Sequence, residues 1–286
     1  WIQTALEGLS NQTLQNLEIL IIDDQSTDRT LEIVQRWSQN DSRFRLLQAN
    51  ENSGAFNARN LGLQEAKGEF VTVHDADDWS HPQKLEIQSA HLIRNPKVIA
   101  NLSEGIRAFS GQLHFHRVFH KEYLNSNISS LMFRRLPIIE HIGFWDSVRF
   151  GGDSEFHERL IAQFGLSRVV NLKTGPLSFI RFHAESLTGS GFASTRLGMA
   201  GIRRFYVDSF KKWHGRISSG QTSAFLEVNG QNRPFAIPRL QSPRAIDYPE
   251  FDQVIVADLS PKSEDLNFAV EAIQGQTSRG GTIGLI

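Results

Sequence analysis

The apolar residues of the first hundred positions switch repeatedly between two spacings. Leu17-Glu-Ile-Leu-Ile-Ile22 is a short continuous apolar run ended by acids, which predicts a buried strand. Asp28 to Gln39 then sets Ile33 and Trp37, and Leu31 and Val34, at helical separation behind Ser26, Thr27 and Asp28 as cap candidates. Phe44 to Leu47 predicts a second strand, Ala55 to Ala66 a helix closed by Gly68, Phe70 to Val73 a third strand, and Pro82 to Arg94 a helix bounded by Pro82 and Asn95-Pro96. Strands that alternate with helices predict a mostly parallel sheet with helices on both faces, because parallel neighbours need a crossover.

From residue 97 the pattern changes. Val98 to Leu102, Leu113 to Phe119 and Ile128 to Phe133 are β-rich with little helical period, so mixed or antiparallel strands are expected. Asp153 to Phe164 puts Phe156, Leu160, Ile161 and Phe164 on one helical face, Val169-Val170 and Leu177 to Phe182 predict strands, and Ala200 to Lys212 a closing helix. Residues 216–250 are rich in Gly, Ser, Gln, Asn and Pro and predict a linker with a hairpin. Residues 251–286 carry Val254 to Ala257, then Leu266, Ala269, Val270 and Ile273 at helical spacing, then Thr282 to Ile286, which predicts the start of a second α/β domain. The expected division is therefore a domain over 1–215, a linker over 216–250 and a truncated unit over 251–286.

Composition narrows the classes. With 40% apolar residues, 21% charged residues and 30 Lys+Arg against 31 Asp+Glu among 286, the chain is globular and lacks the basic excess of a nucleic-acid binder. The absence of cysteine excludes disulfides, a thiolate nucleophile and cysteine-ligated metal. No apolar stretch approaches the roughly 18 residues of a membrane span. The chain starts at Trp1 and stops within an apolar run, which suggests a fragment cut at both ends.

Two strands end in acids: Ile22-Asp23-Asp24-Gln25-Ser26 and Val73-His74-Asp75-Ala76-Asp77-Asp78-Trp79. Ligands of open α/β sheets bind beyond the carboxyl ends of the parallel strands. Carboxylates gathered there repel unless a positive group intervenes, and a divalent cation with phosphate co-ligands answers that need. Asp23-Asp24 alone also suits a turn or cap; Asp75-x-Asp77 is more telling, because alternate residues leaving a strand aim at one point.

Taken together, Asn11-Gln-Thr13, Glu18 to Asp28, Asn52-Ser-Gly54 followed by Ala58-Arg-Asn60, Ala66 to Phe70 and Asp75-Ala-Asp-Asp-Trp79 resemble the family 2 glycosyltransferases in order and spacing. The resemblance covers residues 1 to about 95 strongly, continues through Phe133-Arg134, Gly143 to Asp146 and Gly151 to Phe156, and stops near residue 215. It implies a GT-A fold, a Rossmann-like mixed sheet flanked by helices, and inverting transfer from a nucleotide-diphospho-sugar, in most members a UDP-sugar. Asp24 would accept a hydrogen bond from the base, Asn52 and Gly54 would shape the loop ahead of a helix, and Arg59 would face the nucleotide. Asp75 and Asp77 match the DXD motif, with Asp77 as ligand of Mn²⁺ or Mg²⁺ and Asp75 toward the ribose or a metal-bound water. Asp153 would be the base, Glu155 its substitute if Asp153 only caps its helix. Asp78 suits a cap for the helix near Pro82, Trp79 a sugar face or packing, and His183 a late ligand or phosphate contact. His114-x-His116 with His120 has metal-like spacing but no carboxylate partner nearby.

The resemblance further implies a glycan or lipid-linked acceptor in cell-surface polysaccharide synthesis, in the cytoplasm or peripherally at the inner face of the membrane. It also implies an amino-terminal strand missing from this chain, and hence weaker donor binding than in a longer one. Two rivals share the acids: a non-catalytic sugar-nucleotide or glycan-binding module, and a haloacid dehalogenase-type phosphatase. The latter expects Thr or Val where Trp79 stands and a second Asp where His157 stands.

Overall fold

The computed structural model describes residues 1–109, 115–116, 123–183, 201–228, 230, 232–242, 253–255 and 283–285. It divides into a unit over Trp1–Arg244 and a unit over Ala245–Ile286. His114 and His120 lie outside the described residues.

The first unit opens with α1 (Ile2–Ser10), β1 (Ile19–Asp23), α2 (Thr30–Asn40) and β2 (Phe44–Gln48). β1 and β2 pair in parallel from Ile19 opposite Phe44 to Asp23 opposite Gln48. Their apolar side chains meet those of the two helices in a small core of Leu6, Ile19, Val34 and Phe44. α3 (Ala55–Glu65) and β3 (Phe70–Thr72) follow, then β4 (Trp79–Ser80), α4 (Lys84–Arg94) and β5 (Ala100–Phe109). The remaining elements are β6 (Phe115–His116), β7 (Asn125–Ser126), β8 (Met132–Arg134), α5 (Arg135–His141), α6 (Gly152–Phe164), β9 (Val169–Phe182) and α7 (Gly201–Ser218).

The larger sheet has the order β3-β8-β5-β9-β4, with β6 and β7 also on β5. β3 and β8, β8 and β5, and β9 and β4 are antiparallel, while β5 and β9 run parallel. The mixed sheet expected after residue 97 is thus present, and the two strands read at 169–170 and 177–182 are one long strand with register irregularities against β5 near Leu102 and Glu104. Period-two alternation divides its side chains between faces. Phe133 and Val169 enter the main core with Phe56, Phe156, Leu160, Tyr206, Phe210 and Trp213. Met132 and Val170 turn to the other face, against Leu85, Leu92 and Val98 of α4 and the turn after it.

Two differences from the sequence pattern matter for the site. The sequence pattern assigns no element to residues 135–141, yet they form a helix, α5, that buries Ile138. The described part of 216–242 does not behave as a linker: Ala224 and Leu226 are buried in the main core, and Phe235 and Ile237 pack against it. Leu226 bridges Gly143 in parallel, and the Gly143 backbone has φ +75°. A Cβ on Gly143 would lie 2.2 Å from the Leu226 carbonyl oxygen, so only glycine allows this approach.

In the second unit, β10 (Gln253–Ile255) and β11 (Ile283–Leu285) pair in parallel. That pairing suits a crossover unit; the helix expected between them lies outside the described residues.

Candidate active site

The carboxyl end of β1 turns sharply. Gln25 has φ +67°, an uncommon conformation for a non-glycine residue, and its side-chain amide donates to the Ala49 carbonyl at 2.5 Å. Asp23 is buried and accepts from the Ser26 N–H at 3.2 Å. Asp24 spans the gap to the next loop: its two carboxylate oxygens accept the Ser53 and Gly54 N–H groups at 2.9 and 2.7 Å. Asn52 donates to the Asp24 carbonyl at 3.0 Å and accepts from Arg149 at 3.5 Å. Gly54, at φ +88°, then starts α3. Asp24, Asn52 and Gly54 therefore form one hydrogen-bonded unit, as sequence spacing alone does not reveal.

One turn into α3, Arg59 reaches the acids that follow β3. Its Nη2 donates to Asp75 Oδ1 at 2.6 Å, and its guanidinium lies 5.0 Å from the Phe56 ring centroid. The side chain is only 13% exposed, so the alternative of a solvated helix arginine does not hold. Burial raises the Asp75 carboxyl, but the adjacent Arg59 charge and hydrogen bond outweigh it and hold the group below the ordinary carboxylate range.

Asp77 faces a different partner. Its Oδ2 lies 3.1 Å from His183 Nε2, and its carbonyl accepts from Arg181 Nε at 2.9 Å. His183 and Arg181 come from the end of β9, more than a hundred residues later, and the Arg181 guanidinium also stacks over Trp1 at 4.3 Å. Asp78 does not cap α4, whose cap position is Gln83. It turns inward and accepts the Arg181 backbone N–H at 2.9 Å, and burial together with Asp75 pushes its carboxyl up to about 8. Trp79 packs edge-on against Phe179 at 5.0 Å and lies beside Gly8, which favours packing over a sugar platform.

Beneath these acids is a polar cavity with room for about one water, lined among others by His74, Asp75, Asp78, Lys84, Asn127 and Ser178. His74 Nδ1 donates to the Asp75 carbonyl at 2.9 Å, while its Nε2 is enclosed with no partner. Burial, and then the charge of Lys84, lowers the His74 imidazole to about 4.

Asp153 stands in the first turn of α6. The helix is capped by Gly151 in a left-handed conformation, so Asp153 is not its cap residue; its Oδ1 accepts the Ser154 N–H at 2.8 Å. Gly152 brings this helix against Phe56 of α3, three residues before Arg59, since a Cβ on Gly152 would lie 3.1 Å from the Phe56 ring. The packing sequence Asp75, Arg59, Phe56, Gly152 thus leads to Asp153. His157, one turn further along α6, is lowered by burial and raised in part by Asp153.

Glu155 is unsuited to substitute for Asp153. It is fully buried, with Arg159 Nε at 3.0 Å and His214 Nε2 at 3.0 Å. Arg159, also fully buried, donates to the carbonyls of Ile142, Phe144 and Ala224. Nearby, Asp146 accepts from Tyr206 at 2.9 Å and Arg233 at 2.6 Å. Gln241 donates to the Phe150 carbonyl at 2.7 Å and accepts the Arg149 N–H at 2.9 Å. The stretch 221–242 thereby braces the loop before Asp153.

Residues 1–142 match the family model described as glycosyl transferase family 2. The chain is 41% identical over 86 residues to "Putative glycosyltransferase EpsH" of Bacillus subtilis, an alignment covering 30% of this chain and 25% of that protein. It is 38% identical over 88 residues to "Putative teichuronic acid biosynthesis glycosyltransferase TuaG" of the same organism, covering 31% and 35%. The aligned stretches thus span about a quarter to a third of these relatives' own lengths. Among solved structures, S. aureus TarS 1-349 in complex with UDP-GlcNAc superimposes with a TM-score of 0.57 at 20% identity, over 77% of this chain and 67% of that one. The likeness shows a shared fold, the GT-A fold.

Proposed function

Since residues 1–142 belong to glycosyltransferase family 2, we propose that this chain transfers a sugar from a nucleotide-diphospho-sugar, a UDP-sugar by preference, to a hydroxyl of a glycan or lipid-linked acceptor, with inversion at the sugar carbon. The observation that carries this is the convergence beyond β3: Asp75 on Arg59 at 2.6 Å and Asp77 facing His183 at 3.1 Å. Gly152 packs on Phe56 alongside and brings the first turn of α6 to the same end of the sheet.

Each group has a task in that reaction. Asp24, Asn52 and Gly54 shape the loop that receives the base, and the carboxylate oxygens of Asp24 keep further acceptor capacity beyond the two N–H bonds they take. Arg59 orients Asp75 and adds positive charge beside the diphosphate. Asp153 takes the proton of the acceptor hydroxyl while that oxygen bonds to the sugar carbon and the bond to the diphosphate oxygen breaks, its electron pair leaving with the diphosphate.

Asp77 supplies the carboxylate oxygen that Mn²⁺ or Mg²⁺ takes, and His183 facing it a nitrogen that fits Mn²⁺ better than Mg²⁺, so Asp77 and His183 would hold the cation. When bound, it neutralises charge on the departing diphosphate. The complex of TarS with UDP-GlcNAc supports a UDP-sugar donor, and the likeness to TuaG, named for teichuronic acid biosynthesis, supports a polymer of the cell surface as acceptor. Among the described residues no helix is long and apolar enough to cross a membrane. We place the reaction at the cytoplasmic side, where nucleotide sugars are made, with peripheral attachment to the inner face of the membrane.

The test is metal-dependent UDP release from a panel of UDP-sugars. Asp153→Asn is expected to lower kcat by about 10²–10⁴-fold with donor binding retained, and Asp77→Ala to abolish the response to Mn²⁺. Full transfer by Asp153→Asn removes the base assignment. UDP binding without transfer to any acceptor would favour a binding module, and phosphate release from a phosphomonoester would favour a phosphatase.

A further inference from the structure

Lys84 is a charged group beside these acids that the transferase reading leaves without a task. It stands in the first turn of α4, is only 2% exposed, and lines the cavity beneath the acids. Among the described residues its ammonium has no hydrogen bond or ion pair, although Asp78 and Asp75 act on it electrostatically. An ammonium enclosed in that way is costly unless something satisfies it. Two further polar atoms in the same cavity are buried and unpartnered, His74 Nε2 and Ser178 Oγ. Three unsatisfied groups around a space for about one water are what an internal water would bridge.

The position of these groups ties three elements together. His74 follows β3, Lys84 opens α4, and Ser178 lies on β9 opposite Ser80 of β4. Three residues after Ser178, Arg181 gives its backbone N–H to Asp78 and its side chain to the Asp77 carbonyl, and His183 meets the Asp77 carboxylate. The two acids that act on Lys84, Asp75 and Asp78, thus flank Asp77 in the loop that meets His183.

We propose that Lys84 is a positioning residue for the cation-binding loop: through one internal water it joins His74 and Ser178, and its buried charge holds Asp75 and Asp78 so that Asp77 and His183 face one ion. This rests on the transferase reading for the identity of the ion. Burial pushes the Lys84 ammonium down to about 8 and the two aspartates pull it back up, which agrees with a charge set against a small polar cavity and away from bulk solvent.

The experiment is Mn²⁺ binding to the whole chain in the presence of UDP, followed by the electron paramagnetic resonance of free Mn²⁺, with UDP binding measured separately by calorimetry without metal. Lys84→Met keeps the length of the side chain and removes its charge. The expected result is Mn²⁺ binding weakened by about tenfold, with metal-free UDP affinity unchanged within about twofold and a double variant with Asp78→Asn no weaker than the worse single one. A folded Lys84→Met that binds Mn²⁺ as well as or better than the parent overturns the proposal, as does simple additivity with Asp78→Asn. Should Lys84→Met not fold, Ser178→Ala removes only the bridged hydroxyl; about threefold weaker Mn²⁺ binding is expected, and unchanged binding overturns it. A parent chain that binds neither UDP nor Mn²⁺ refutes the transferase reading instead. The role of Lys84 is then read from amide exchange over residues 74–79, which Lys84→Met should speed by about tenfold and which, if unchanged, sinks it.

Discussion

Arg59 couples the two loops of the site through a single guanidinium, with Asp75 at one end and the Phe56 ring beneath it. A lysine there would keep the charge but lose the planar stack and the directed N–H bond. Arg59→Lys is expected to raise the KM for a UDP-sugar by about tenfold with a smaller change in kcat, since one charge-assisted bond of this kind contributes about 1.5–3 kcal/mol; steady-state kinetics with one donor would check it. His74 gives a pH signature. Its folded-state imidazole sits near 4 against an ordinary value of 6.5, so below 6.5 the unfolded chain takes up a proton that the folded one refuses. The sign is loss of stability on acidification, beginning near pH 6.5 and continuing to about pH 4. Urea denaturation of the metal-free protein at pH 7.5 and pH 5 should show a larger drop for the parent than for His74→Asn. Equal drops would assign the acid sensitivity elsewhere.

At the scale of elements, α6 is the one whose placement matters most, because it carries Asp153 at its start. It is fixed from below by Glu155 and Arg159, both fully buried, with His214 of α7 on Glu155. Arg159→Met removes the positive charge from a buried carboxylate and the donors from three carbonyls, and is expected to cost about 3–5 kcal/mol of stability; a loss under about 1 kcal/mol in denaturant titration would show that the network is not the brace. The sequence made α3, α4 and α6 legible because helical spacing and a terminal Gly or Pro coincide in them, and α2 legible by helical spacing behind its cap candidates. α5 was hidden because Pro137 interrupts a short apolar segment that continues a strand. Among site residues, the acids stood out by their position after strands. Lys84 did not, because a lysine in the first turn of a helix ordinarily faces water, and nothing in its spacing reveals that α4 turns it inward. Glu155 and Asp153 look alike in sequence; only the arginine one turn on, read together with burial, separates the buried anchor from the half-buried acid.

For the molecule as a whole, the first unit extends well past residue 142, where the family match ends, and takes in residues that composition assigns to a linker. Ala224, Leu226, Phe235 and Ile237 add apolar surface to the main core, and Arg233 satisfies the buried Asp146. A chain ended at Gly220 is therefore expected to lose the cooperative thermal transition of the unit in scanning calorimetry, whereas a true linker could be removed with the transition intact. β9 sets a further consequence. It lies between β5 and β4 in the sheet and brings Arg181 and His183 to acids placed more than a hundred residues earlier. During synthesis, then, the loops after β1 and before α3 emerge long before Asp77 can meet His183. On the proposed function, a nascent chain would meet a base before it could hold a metal, so Mn²⁺ capture would report that β9 has joined the sheet.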